Sequence, residues 1–336
     1  MPDTVFIPAT DVNSGDDAMA PLMTADSLLP VDDFLVRQRA FLAAATADNT
    51  RRAYRSALRH FASWGGALPA DESMLLRYLL DHAATLNPRT LALRLTALSQ
   101  WHLHQGFNDP ASTPTVRKTL AGITRTHGLP MRKAAALSLV DLERIVQHLA
   151  GLDTFVARRD SALLQLAFFG AMRRSEVVRL TLAHLSWEPQ GVIVLLARSK
   201  TDQQGSGIQK AIPHGDGICC PATALREWIR VGGITQGPLF RSINQWGSVG
   251  STQLHAGSVN AILADCARQA GVPIAPALSS HSLRRGLATS AYRAGASLRD
   301  IKRQGGWRHD ATVQGYIDDA DRFEDNAAAP LLRKRS

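Results

Sequence analysis

Strand-like sequence is confined to one part of this 336-residue chain, and that restriction limits the folds open to it. From Leu35 the apolar residues recur at helical spacing, and no strand-like alternation occurs before residue 130. Two later segments, GVIVLLARS and IQKAIPH, are typical of strands, and the polar, glycine-containing KTDQQGSG between them predicts a hairpin. We therefore predict a mainly α fold, in which a helical domain precedes a mixed α+β domain with a small antiparallel sheet.

Composition and periodicity divide the chain into five segments. Residues 1–34 are acidic and aperiodic, which is typical of a disordered leader. Residues 35–127 form the predicted helical domain, and residues 128–136 form a basic linker. The mixed domain is predicted over residues 137–326, and residues 327–336 form a C-terminal tail with a last helix.

The segment ADNTRRAYRSALRHFASWGG predicts a helix that Asn49 or Thr50 caps and that ends at Gly65-Gly66. Its apolar stripe predicts the buried face. That stripe consists of Tyr54, Leu58, Phe61 and Trp64. Further helices are predicted at about 71–84, 88–105, 113–126, 139–149, 156–170, 221–231, 256–271, 281–294 and 298–304.

The charge of the chain is unevenly distributed. The formal net charge is +9, but residues 1–36 carry −7, so the remainder carries +16. Residues 37–136 alone carry +9. Arg51, Arg55 and Arg59 recur on one face of the first predicted helix, and the sequence offers that face no evident acidic partners. This distribution favours a polyanionic partner, nucleic acid first.

Other features indicate the compartment and the chemistry. The sequence contains no run of 18 apolar residues and no secretory leader, so we expect no membrane partner. Its three cysteines lack zinc-ligand spacing and suit a reducing cytoplasm. No phosphate-binding GxxxxGK[ST] loop is present.

The mixed domain contains four small groups of residues with side chains typical of catalytic or anion-binding sites. Each group by itself is only a weak indication of such a site. Arg173 and Glu176, three apart, are predicted to pair on one helical face. His281 and Arg284 are also three apart, at the start of a helix where an anion is favoured. Lys200 begins the predicted hairpin turn. Each of these groups also has an ordinary structural interpretation, such as a surface ion pair, a capping histidine or a solvated lysine.

The fourth group is a tryptophan followed by a tyrosine. Trp307 precedes Tyr316 by nine residues in the segment GGWRHDATVQGY. The chain thus contains, far apart but in a fixed order, an arginine, a lysine, a His-x-x-Arg box, a tryptophan and a tyrosine. This order and its context resemble the tyrosine site-specific recombinases, the phage integrase family. The segment GAMRRSE resembles the first arginine box, and RSKTD contains the hairpin lysine. Many family members have Leu-Gly-His where this chain has Gly305-Gly306-Trp307. The resemblance extends over about residues 35–335.

The resemblance implies that the enzyme breaks and rejoins DNA through a 3′-phosphotyrosyl intermediate and a Holliday junction, without metal, ATP or another cofactor. Tyr316 would be the nucleophile, Arg173 and Arg284 would hold the phosphate oxygens, and Lys200 would protonate the leaving 5′-oxygen. The remaining residues would orient these groups or assist proton transfer. The implied catalytic set is Tyr316, Arg173, Lys200, His281, Arg284, Trp307 and Glu176.

The resemblance also implies a C-shaped clamp on DNA, formed by a helical core-binding, SAM-like domain and the catalytic domain. The expected partner is double-stranded DNA with an inverted-repeat recognition site, bound by a homotetramer on two sites. Leu331 and Leu332 would anchor the tail in a neighbouring subunit. The helix that starts near Ala256 and carries Gly257 is expected to enter a major groove. The resemblance further implies a bacterial or a phage- or plasmid-encoded enzyme that acts in the cytoplasm, at the nucleoid. The periodicity and the resemblance together predict the DNA-binding residues Arg51, Arg52, Arg55, Arg59, Arg89 and Arg94.

Three other functions stay open on the sequence. A type IB topoisomerase would use the same chemistry to relax supercoils. A non-catalytic DNA-binding relative would retain the fold without the reaction, although all the catalytic positions are filled. A metal-dependent nuclease or transposase has little support, because the sequence contains no persuasive acidic metal cluster: the acidic segment DDAD at 318–321 is better explained as a solvated stretch after Tyr316.

Overall fold

The structure is a computed structural model, and it describes residues 46–130, 133–197, 207–320 and 328–332. The chain divides into two compact units, Met1–Met131 and Arg132–Ser336. The predicted leader, residues 1–34, lies outside the described residues. The finer division into leader, linker and tail stays a prediction. No helix within the described ranges is both long and apolar enough to cross a membrane.

The N-terminal unit is helical throughout its described part. Its helices are α1 (Asp48–Ser63), α2 (Glu72–His82), α3 (Pro88–His104) and α4 (Pro114–His127). A polar side chain begins each of the last three, because the first turn of a helix has backbone N–H groups without helical partners. Asp71 accepts from Met74 N, Asn87 from Arg89 N and Thr113 from Val116 N.

The start of α1 differs from the prediction. The helix begins at Asp48 after Ala47, whose side chain makes no cap, so Asn49 and Thr50 lie inside the first turn. Asp48, in the first turn, compensates for the missing cap, because a carboxylate near the positive end of a helix is stabilising. It also pairs with Arg51, so the expectation that this arginine lacks an acidic partner is wrong.

One apolar core holds the four helices together. Of the predicted stripe on α1, Phe61 is fully buried, and Leu58 and Trp64 pack against the core from partly buried positions. Tyr54 is half-buried and lies outside this core. The remaining buried members come mainly from α2, α3 and α4 and include Leu75, Tyr78, Leu91, Leu98 and Val116.

The second unit is mixed, as predicted. Its helices are α5 (Leu139–Ala150), α6 (Phe155–Phe169), α7 (Arg174–Val178), α8 (Pro221–Val231), α9 (Ser258–Gln269), α10 (Ser280–Arg293), α11 (Leu298–Gly305), α12 (Asp310–Ala320) and α13 (Ala329–Leu332). Its strands are β1 (Leu185–Glu188), β2 (Gly191–Leu196), β3 (Ile208–Pro213), β4 (Arg241–Ile243) and β5 (Val249–Gln253). The prediction of a mainly α fold with small antiparallel sheets is confirmed.

The two predicted strands, β2 and β3, pair antiparallel from Gly191 opposite Pro213 to Leu196 opposite Ile208. Strand β1, which the sequence did not predict, extends the sheet on the other side of β2. Strands β4 and β5, also unpredicted, form a separate hairpin. These three strands are short, and β4 and β5 are partly exposed, so they lack a clear apolar alternation.

Two separate cores stabilise the second unit. The large core joins α5, α6, α8, α9 and α10 to the inner face of the three-stranded sheet, and its members include Leu163, Val194, Leu225, Trp228 and Leu263. The small core is a cluster of six buried side chains near the end of the unit: Ala171, Ala288, Ile301, Trp307, Val313 and Ile317. The small core contains Trp307 itself, and Tyr316 packs against its edge.

Candidate active site

Arg173 and Glu176 form a closed pair at the start of α7. Arg173 is the residue before the helix, so the prediction that both lie on one helical face is wrong. Instead, Glu176 accepts from the Arg173 backbone N–H at 2.8 Å and from its Nη1 at 2.5 Å. The Glu176 side chain is 5% exposed and that of Arg173 is 24% exposed. The carboxylate therefore fixes a guanidinium that still reaches solvent.

The backbone just before this pair is strained. Ala171 has φ +44° and is fully buried, and a residue with a Cβ rarely adopts this left-handed conformation. Its carbonyl accepts a hydrogen bond from Nη1 of Arg284. The strained turn thus links the first arginine segment to the second.

Arg284 is the most buried charge in the site. It is 2% exposed, and its Cζ lies 4.4 Å from the centroid of the Trp307 ring, in cation–π geometry. Burial and the charge of Arg173 lower the pKa of Arg284 to about 10, which leaves it positive at neutral pH. Its Nη2 has no hydrogen-bond partner among the described residues. A buried donor of this kind favours an anion.

Tyr316 lies on α12, and the small core orients that helix. Val313 and Ile317 are buried on either side of Tyr316, whose own side chain is half-buried. The Tyr316 ring meets Trp307 edge-on, with 5.8 Å between centroids and 67° between planes. The guanidinium of Arg285 lies 5.1 Å from the centre of the Tyr316 ring. One tryptophan therefore contacts both Arg284 and the candidate nucleophile.

His281 is the second residue of α10, and its backbone N–H donates to the hydroxyl of the capping residue Ser279. The structure places it in the electrostatic field of both arginine segments. Partial burial lowers the pKa of His281, and the positive charges of Arg284, Arg173, Arg285 and Arg174 lower it further. Its imidazole is therefore neutral at neutral pH and is able to accept a proton.

Lys200 lies outside the described residues, between β2 and β3, so its predicted role stays a prediction. The sequence interpretation missed a second lysine in this region. Lys210, on β3, is 2% exposed, and its Nζ donates to the carbonyls of Gly170 and Gln304. The sequence does contain an indication, because alternation in IQKAIP places this charge on the same face as Ile208 and Ile212.

The arginines predicted to bind DNA differ in their surroundings. Arg52, Arg55, Arg59 and Arg89 are exposed on α1 and α3. Arg94 is half-buried, and its Nη1 contacts the His60 ring nitrogens and donates to Tyr78 Oη at 3.2 Å. The guanidinium of Arg94 thus helps to hold the N-terminal unit together, and its predicted DNA contact stays untested.

No group of three or more His, Cys, Asp or Glu side chains is placed to hold a metal ion within residues 46–130, 133–197, 207–320 and 328–332. The charged side chains that meet at the site are mainly cationic. Arg173 and Arg284 flank a single carboxylate, Glu176. Such a cluster suits a phosphate group, whose oxygens accept hydrogen bonds from guanidinium forks.

Sequence comparison places the chain in a known family. Residues 136–322, more than half of the chain, match the Phage integrase family. The Integrase/recombinase xerD homolog of Selenomonas ruminantium is 34% identical over 302 residues, which cover 87% of this chain and 88% of that protein. The chain belongs to the phage integrase family. It is a site-specific tyrosine recombinase, an enzyme that cleaves and rejoins DNA.

Two further comparisons refine the likeness. Recombinase cre of Escherichia phage P1 is 27% identical over 286 residues, covering 80% of this chain and 81% of Cre. By identity, this chain is thus more similar to the xerD homolog than to Cre. The fold also matches the crystal structure of XerH site-specific recombinase bound to palindromic difH substrate, with a TM-score of 0.55 and 19% identity over 79% of this chain and 74% of XerH.

Proposed function

We propose that Tyr316 is the nucleophile of the recombinase and that Arg173, His281, Arg284 and Trp307 form its phosphate pocket. The observation that carries this proposal is the pair of contacts made by Trp307, with the Arg284 guanidinium on its face and the Tyr316 ring against it. The pocket would bring the phenol oxygen to a phosphate held by the arginines.

In the first step, the Tyr316 oxygen attacks a backbone phosphorus and forms a 3′-phosphotyrosyl bond. The bond from phosphorus to the 5′-oxygen breaks, and the leaving oxygen takes a proton, which we assign to Lys200. Neutral His281 is suited to accept the phenol proton or to donate a hydrogen bond to a phosphate oxygen. In the reverse step, a 5′-hydroxyl attacks the phosphotyrosine, and Tyr316 leaves as the phenol.

The arginines stabilise the transition state, in which negative charge spreads over the non-bridging oxygens. Arg284 provides the unpartnered Nη2 donor in the described structure. Arg173, held by Glu176, provides a second fork. Glu176 is therefore a positioning residue, and Trp307 both packs the pocket and presents its indole N–H. This chemistry retains the energy of the broken phosphodiester in the new bond, so the mechanism calls for neither ATP nor a metal ion.

The finer features of the DNA partner and the assembly are part of the same proposal. XerH was solved on a palindromic substrate, which supports an inverted-repeat recognition site for this recombinase. We propose that four protomers on two such sites exchange strands in pairs through a Holliday junction, in the cytoplasm of a bacterial cell. Leu331 and Leu332, 84% and 83% exposed, are suited to anchor each tail in a neighbour.

Covalent capture tests the proposal. DNA fragments from around the gene are incubated with the wild-type chain and with Tyr316→Phe, denatured, and recovered with the protein. We expect adducts with the wild type alone, joined through a 3′-phosphate. Adducts of equal yield with both chains would contradict the role of Tyr316. A plasmid with two copies of the recovered site then distinguishes recombination, which resolves it into two circles, from simple relaxation of supercoils.

A further inference from the structure

Lys210 is a buried charge that the proposed mechanism does not use. Its Nζ donates to the carbonyl of Gly170 at 2.7 Å and to that of Gln304 at 2.5 Å. Gly170 follows α6 and precedes the strained Ala171, whereas Gln304 lies in the last turn of α11. One side chain on the sheet thus joins two segments that are 134 residues apart in sequence.

Gln304 makes the reciprocal connections. Its Nε2 donates to the carbonyl of Phe169 at 2.9 Å and to that of Ala211, on β3, at 3.2 Å. Four hydrogen bonds therefore connect the end of α6, the strand β3 and the end of α11. We refer to Lys210 and Gln304 as the backbone node.

Each segment that meets at the backbone node leads directly to a site residue. The end of α6 continues through Ala171 to Arg173. The end of α11 continues through Gly305 and Gly306 to Trp307. Strand β3 begins two residues after the segment 198–206, which contains Lys200 and lies outside the described residues. Gly170, which Lys210 bonds, is three residues from Arg173 along the chain, and Gln304 is three residues from Trp307.

We propose that Lys210 and Gln304 are positioning residues, which hold the arginine turn, the tryptophan turn and the hairpin strand in the register required for DNA cleavage. Neither side chain contacts the reacting atoms in this account. Without the node, Arg173 and Trp307 would keep their local structure but lose their fixed separation. This inference rests on the proposed function, because it concerns the rate of Tyr316 attack.

The electrostatic surroundings agree with a role near the phosphate pocket. Burial lowers the pKa of Lys210 to about 7, and the charges of Arg284 and Arg173 lower it while Glu176 raises it. A neutral amine still has two N–H groups, which suffice for the two carbonyls. The hydrogen-bonded geometry of the node is therefore compatible with either protonation state.

The test compares Lys210→Met, Gln304→Leu and the double variant with the wild type, all as the full chain. The substrate is the fragment recovered as the Tyr316 adduct. Two quantities are measured separately: the single-turnover rate of adduct formation at saturating protein, and the affinity for the uncut fragment. Gln147→Leu, at an exposed glutamine on α5, is the matched control.

We expect each node variant to form the adduct about 10- to 100-fold more slowly, since small displacements of catalytic groups have effects of that size. Affinity should stay within about threefold of the wild type, because the node contacts no DNA in this account. The double variant should be about as slow as the slower single variant, since both remove one connection. Lys210→Arg, which keeps the donors and the charge, should recover part of the rate lost in Lys210→Met.

Adduct rates within about twofold of the wild type in folded Lys210→Met and Gln304→Leu would overturn the inference while leaving the role of Tyr316 intact. Equal losses of rate and affinity, matched by a loss of folded protein in thermal unfolding, would also overturn it in favour of a purely structural role. A wild-type chain that forms no adduct would contradict the proposed function and this inference with it.

Discussion

The large core and the small core of the second unit are both apolar, but they contribute differently to stability and to the geometry of the site. The large core buries side chains from six helices, α5 to α10, and a sheet, and none of the predicted catalytic residues is among its buried members. The small core has six buried members, and Trp307 is one of them, with Tyr316 packed at its edge. The comparison teaches that stability and catalytic geometry depend on different sets of contacts within one unit.

This separation has a physical consequence. A change in the large core removes contacts that the whole unit shares, so it should lower the free energy of unfolding. A change in the small core affects α11 and α12, which close the end of the unit, so it should act through local opening and lost alignment. Substitutions in the two cores should therefore separate the effects on stability from the effects on the rate of DNA cleavage.

Gly305→Ala should disrupt the small core most strongly. A Cβ at this position would lie 1.8 Å from the Trp307 ring, so the indole must move away from Arg284. We expect the adduct rate to fall about 100-fold, with a loss of about 1–3 kcal/mol in the free energy of unfolding. Gly315→Ala is the control on α12, where an added Cβ meets nothing within 4 Å. Equal activity of the two variants would contradict the assignment of Trp307.

A pair of truncations compares the two cores directly. Ile317→Ala removes a buried side chain of the small core, and Leu225→Ala removes one of the large core. We expect Ile317→Ala to slow adduct formation about 10-fold through misalignment of Tyr316. Leu225→Ala should cost about 2–5 kcal/mol in the free energy of unfolding while the folded protein cleaves at nearly the wild-type rate. The reverse pattern, measured by denaturant unfolding and single-turnover cleavage, would refute the division.

Lys210 predicts a pH dependence of stability. Its pKa is about 7 in the folded chain against an ordinary value of 10.5, so the unfolded chain binds more protons between these values. Stability should therefore rise with pH across that window, by at most about 1.4 kcal/mol per pH unit from this group. Lys210→Met should show a correspondingly flatter dependence in denaturant titrations from pH 7 to pH 9. Parallel curves for the two chains would show that the burial of this charge is not costly.

A surface change that touches neither core should have the smallest effect. Arg59→Ala, at an exposed position on α1, should reduce the affinity for DNA a few-fold and the salt-dependence slope by about 1, without changing the unfolding midpoint. Arg144→Ala, at an exposed arginine on α5 that pairs with Asp141, is the matched control. Identical salt slopes for both variants would remove Arg59 from the predicted DNA-binding surface.

Local patterns in the sequence predicted much of this fold. Helices were predicted at about 139–149 and 298–304, and the structure begins them at Leu139 and Leu298. Each is capped by the preceding serine, since the hydroxyls of Ser138 and Ser297 accept from Asp141 N and Asp300 N. Strands β2 and β3 were predicted because two strand-like apolar segments flank one polar, glycine-containing segment, and they pair antiparallel. Such features depend on residues a few positions apart. The motif order predicted the family in the same way, since each short box keeps its own spacing.

Features that depend on tertiary structure were not predictable. The predicted start of α1 was wrong because no side chain caps this helix; the carboxylate of Asp48 stabilises its first turn instead. The strain at Ala171 and its contact with Arg284 join segments 113 residues apart. The backbone node likewise forms only because the fold brings β3, the end of α6 and the end of α11 into contact. Alternation marked Lys210 as an inward-facing charge, but the two carbonyls that it bonds are visible only in the folded chain.

The chemical identity of the DNA-linked residue tests directly whether Tyr316 is the nucleophile. Trypsin releases a peptide spanning residues 309–322, in which Tyr316 is the single tyrosine. After nuclease digestion of the adduct, mass spectrometry should find this peptide enlarged by a nucleotide 3′-phosphate on Tyr316. A nucleotide attached to Tyr54, Tyr78 or Tyr292, or to no tyrosine, would contradict the account.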